Sequence, residues 1–136
     1  MDAQHETEGL VTLPSHHDFK TTLGRLGEAI TSHQAAIFAM IDHAAGATAA
    51  GQVLRPSTVL IFGNPQAGTP LMQAQQIVAL DLPLRVLVWE DEAGAVWLSY
   101  NTPDWIARRH GLDPDLLPTT ARMAEALQIF THAAGG

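Results

Sequence analysis

His43 follows Asp42 in the run FAMIDH, and an imidazole beside a carboxylate is a pairing suited to general acid–base chemistry near neutral pH. Three further polar residues stand at the ends of apolar runs: Asn64 after TVLIFG, and Tyr100 with Asn101 after VWLS. An imidazole, two amides and a phenol gathered on one rim of a sheet would line a cleft for a small molecule, so His43, Asn64, Tyr100 and Asn101 are the candidate ligand-binding residues. His43 with Asp42 is the candidate catalytic pair, Asp42 orienting the ring. Each has an ordinary reading beside the chemical one. His43 suits a helix start or a bond to a backbone carbonyl, and Asn64 suits an amide closing its own turn.

Other chemistries fail on residue type or spacing. The chain has no cysteine, which removes disulfides, thiolate metal sites and thiol catalysis. None of its seven histidines forms an i, i+4 pair, so no helical zinc site is expected, and neither is a cofactor. Gly63 and Gly68 have the spacing of a phosphate-cradling loop, but Thr69 stands where that loop needs lysine and Pro70 where it needs the magnesium-binding hydroxyl. Pro65 also removes a backbone donor. Ser57 and Ser99 lie in or beside strands, without the elbow of a serine hydrolase. The formal charge is −7 and Lys20 is the single lysine, so no basic stripe exists to displace counterions. Nucleic acid and anionic membrane surfaces are not expected as partners. The polar, acidic beginning and the lack of a long apolar run read as a cytoplasmic protein.

Those residues must be positioned by a single domain, expected over residues 10–132 after a disordered tail at 1–9, with 133–136 frayed. Leu10–Leu13 reads as a short strand. Ser15 is placed to cap a helix whose Phe19, Leu23, Leu26 and Ile30 share a face. Ala35–Ile41, Thr58–Phe62, Leu84–Glu90 and Ala95–Tyr100 read as strands, the last two joined by the turn at Asp91–Gly94. Thr69-Pro70 reads as the start of a short helix to about Ala79, Pro103–His110 as another, and Thr119 or Thr120 as the cap of a last one. A turn this short permits only antiparallel neighbours. The fold class is therefore α+β: a mostly antiparallel sheet of about five strands with helices packed on one face.

The blocks FAMIDH (38–43), TVLIFGNPQAGTPLM (58–72), ALDLPLRVLVWED (79–91) and VWLSYNTPDWIARRHGL (96–112) occur in that order. On them the chain resembles the domain of unknown function 302 family across most of its length. The resemblance implies an α+β fold similar to that of the TATA-box-binding protein, without a DNA-binding role, and supplies no reaction. Three functions stay open: a small-molecule-binding domain rimmed by His43, an enzyme using His43 and Asp42, and a homodimeric structural module. In the last, AAIFAMI and the hairpin edge pair across a two-fold axis.

Overall fold

Strict alternation over Ser57–Gly63 buries Thr58, Leu60 and Phe62 and leaves Ser57, Val59 and Ile61 only partly covered, the pattern of a strand with one face in the core. The computed structural model, which describes residues 5–136, sets this strand in a six-stranded, wholly antiparallel sheet. The strands are β1 (His5–Thr7), β2 (Leu10–Pro14), β3 (Ala36–Asp42), β4 (Ser57–Gly63), β5 (Leu84–Glu90) and β6 (Val96–Asn101), in the spatial order β1-β2-β6-β5-β4-β3. The helices are α1 (Phe19–Ser32), α2 (His43–Ala49), α3 (Pro65–Ala74), α4 (Pro103–Arg109) and α5 (Leu117–Gly135).

Helices α1 and α5 pack against each other and cover one face of the sheet. Leu26 and Ile30 of α1 and Leu127 and Phe130 of α5 close on Leu60, Phe62, Val86, Val88 and Leu98. Phe62 and Phe130 meet edge to face at 5.6 Å. Each of these side chains is removed from water almost completely, worth about 1.5–3 kcal/mol apiece before entropy is counted.

Several boundaries differ from expectation. The expected tail at 1–9 falls partly outside the described residues (1–4), but His5–Thr7 form β1. Glu8 and Gly9, both at positive φ, turn the chain back so that β1 pairs with β2. The other end is not frayed: Ala134 and Gly135 are buried, and the Gly135 carbonyl accepts from the His16 amide at 2.8 Å. Asp18, not Ser15, caps α1 by accepting from the Thr21 amide, while the Ser15 hydroxyl bonds that of Thr22 at 2.6 Å. Helix α3 starts at Pro65 rather than Pro70, because Asn64 supplies the cap and Pro65 fills the first-turn position that needs no amide.

Candidate functional site

The antiparallel register separates the residues expected to share a rim. Asp42 lies opposite Thr58, so His43, one residue on, sits at the end where β4 begins; Asn64 follows Gly63, which lies opposite Ala36 at the other end. Six residues of strand at ~3.3 Å each put roughly 20 Å between them. Strands β4 and β6 are both antiparallel to β5 and so run the same way, which brings Asn101 to the Asn64 end. Tyr100 is at that end too, but it points into the helix-covered core and is 6% exposed. The expected common hollow is thus corrected. Neighbouring strand termini fall on one rim in a parallel sheet, whereas antiparallel neighbours alternate them.

Each residue has a local task. The Asp42 carboxylate accepts from the Ala45 amide at 2.9 Å as the cap of α2, so it is turned to the backbone and not to the imidazole. His43 is the exposed first residue of α2. The Asn64 side-chain oxygen accepts from the Gln66 amide at 2.9 Å, the turn role foreseen as its ordinary reading. Asn101 is exposed on the face away from the helices.

The structure builds a charged group elsewhere. The Asp81 carboxylate accepts from Arg109 Nη1 at 3.0 Å and meets His110 Nε2 at 2.6 Å, and the Arg109 guanidinium lies 5.6 Å from the centre of the Trp105 ring. This network ties the chain entering β5 to the end of α4. Its members lie 28 and 29 positions apart, so no local spacing announced it. Beside it, Leu71, Leu82, Leu84, Ile106, Leu112 and Met123 close on one another without room for a water molecule. Among the described residues no three histidine, aspartate or glutamate side chains come together as a metal site.

The larger feature is the sheet face that α1 and α5 leave open. Register places Ile41, Val59, Leu87, Trp89, Trp97 and Pro14 on it across five strands, and none of them is buried. Trp89 and Trp97 stack with ring centres 6.1 Å apart and planes 24° from parallel. Their polar atoms are satisfied: Trp89 Nε1 donates to the Ser99 hydroxyl, itself bonded to Thr12, and Trp97 Nε1 donates to Asp91, each at 2.9 Å. The indole donor of Trp97, reinforced by the amides of Ala95 and Ala93 and by nearby Arg55, holds the Asp91 carboxyl below its ordinary value of 3.8. With those edges tied down, the surface offers apolar faces. Arg85, opposite Ile61, is the exposed charged residue that register adds to this face. At the sheet border β3 exposes apolar side chains on both faces: Phe38, Met40 and Ile41 are 52%, 56% and 44% exposed, with Ile41 on the open face and Met40, opposite the buried Leu60, on the other.

An antiparallel α+β domain with one armoured and one bare sheet face is the class of protein this geometry defines. The family described as Domain of unknown function DUF302 matches residues 11–130, and the chain belongs to it, in line with the resemblance seen in the four blocks. The crystal structure of an uncharacterized conserved DUF302 protein from Bacillus stearothermophilus superposes with a TM-score of 0.83, covering 94% of this chain and 99% of that one; at 17% identity it shows a shared fold. By sequence, the chain is 48% identical over 104 residues to proteins named Fluoride-specific ion channel FluC 1 from Brucella suis biovar 1 and from Brucella abortus biovar 1. The match covers 76% of this chain but 41% and 38% of theirs, so the chain spans about two fifths of the curated relatives it matches. Among the described residues no helix is long and apolar enough to cross a membrane.

Proposed function

We propose that this chain is an assembly domain that works as a homodimer. The observation that carries this reading is the border strand β3, which exposes Phe38, Met40 and Ile41 along an unpaired edge of the sheet, on a chain whose formal charge is −7. An acidic protein that keeps such a strand free of charge up to Asp42 at its last position is suited to bury it against something equally apolar, and a second copy offers that strand by symmetry. The reading displaces a small-molecule cleft at His43, Asn64, Tyr100 and Asn101 because those residues are spread over opposite ends of the sheet. It displaces acid–base catalysis by His43 because Asp42 is engaged by the backbone. The longer Brucella relatives suit the same role, since a domain of this kind would bring copies of a longer chain together.

Sedimentation velocity over a hundredfold concentration range tests it. The expected mass is twice 14.6 kDa in the low-micromolar range, and a monomer at every concentration would overturn the proposal.

A further inference from the structure

The structure assigns the seat of that second copy to strand β3, an inference that rests on the assembly reading above. Two β3 strands run antiparallel across a two-fold axis and join the two six-stranded sheets into one, with Met40 beside the axis.

Among the described residues strand β3 pairs with β4 alone, so the backbone groups of every second residue face outward along the sheet border. No loop backbone among the described residues donates to or accepts from residues 36–42 on that side. Sheet borders are normally guarded by lysine, proline, inward charges or extreme shortness. The segment AIFAMID has seven residues, no lysine, arginine or proline, and a single charge at its last position. Its one guarding device is the irregularity between Ile37 and Ala39, which sits toward the beginning and leaves Ala39–Asp42 regular.

The charge pattern suits a copy of itself. In an antiparallel ladder the two residues of a pair have the same orientation, both outward or both inward, so a two-fold axis passes beside a single residue. With Met40 there, Ala39 faces Ile41 of the second copy and Asp42 falls opposite the irregular stretch at Phe38. No like charges oppose each other, and Met40 and Ile41 of each strand gain an apolar neighbour across the axis. Moving the axis to Ile41 would shorten the ladder against α2. Moving it to Ala39 would run more of the ladder through the irregular stretch.

The absence of native cysteine makes the register readable by single substitutions. Residues directly opposite have Cα atoms about 4.5–5.5 Å apart, inside the range a disulfide spans, whereas a residue two places out of register is about 8 Å away and outside it. Met40→Cys, Ala39→Cys and Ile41→Cys are oxidised mildly beside Val53→Cys, a loop position 99% exposed. Met40→Cys is expected to give covalent dimer at least tenfold faster than the other three. A rate no greater than that of Val53→Cys overturns the inference. Met40→Lys provides an independent reading, since it opposes two ammonium groups across the axis. It is expected to raise the dimer dissociation constant at least tenfold with unchanged circular dichroism, and an unchanged constant counts against the strand pairing. If the parent chain sediments as a dimer while both Met40 variants behave as controls, assembly stands and the β3 pairing falls. If the parent chain is monomeric throughout, both fall.

Discussion

Substituting Gly9 by alanine isolates the contact that fastens the β1–β2 hairpin to α4. Gly9 has φ +83, and a Cβ built there would lie 2.2 Å from Trp105 Cγ and 2.3 Å from Trp105 Cβ. Those atoms are the root of the side chain, fixed to a helix whose Trp105 amide is held by the Thr102 hydroxyl, so they yield less readily than a flexible tip. The Thr102 amide in turn donates to the Gly9 carbonyl at 2.7 Å, so the overlap pushes apart a bonded pair of segments. The left-handed backbone costs an alanine about 1–2 kcal/mol, and forced overpacking adds about 1–3 kcal/mol, giving a loss of about 2–5 kcal/mol. Gly94 supplies the control: its φ is +85 and nothing lies within 4 Å of its Cβ position, so Gly94→Ala carries the backbone cost alone. Equilibrium urea unfolding measures both. With a slope of about 2 kcal/mol per molar, Gly9→Ala lowers the midpoint by about 1–2.5 M and Gly94→Ala by about 0.5–1 M. Equal midpoints for the two variants would refute the claim that Trp105 fills the space above Gly9.

Two other outcomes follow from named contacts. Because Asp91 titrates below 3.8 in the folded chain, its contribution to stability is complete above the unfolded carboxyl's range and is lost as pH falls through the lowered value. Tryptophan emission followed during acid titration should therefore show a step below pH 3.8 that Asp91→Asn abolishes; an unchanged step in the variant would detach it from the Trp97 bond. Asp81→Ala leaves the Arg109 and His110 side chains without their common acceptor, and His110 is only 7% exposed. A loss of about 1–3 kcal/mol in urea unfolding is expected, and a change within about 0.5 kcal/mol would mean that the network holds nothing.

The elements were far more legible than their meeting points. β-Branched and aromatic residues located β4, and the run LRVLVWE with its following turn marked β5 with the bounds observed. Local signals also carried the antiparallel β5–β6 hairpin and the covering of one face. Helix α2 left no mark in the sequence because HAAGATA has no apolar stripe, and it buries no residue. In the sequence Thr69 and Pro70 read as the start of α3, whereas the chain's path out of β4 makes Asn64 the cap and Pro65 the first helical residue. Placing His43 with Asn64 failed for a non-local reason: which strand ends meet depends on the direction of every strand between them. Asp81, Arg109 and His110 escaped for the same reason, being joined by tertiary packing alone. The β3 sequence was read as a site of self-pairing, and its place at the sheet border came only with the fold.

If copies join through β3, the far border of the sheet sets how large the assembly can grow. Among the described residues strand β1 offers three, and Glu8 and Gly9 then bend the chain into β2, so they give an incoming strand little to lengthen. A molecule sticky along both margins would string together without limit into fibres; one with a single adhesive margin and one blunt margin stops after its first partner. Under the proposed pairing, an acidic protein with one greasy margin and one short margin is expected to stop at a discrete particle.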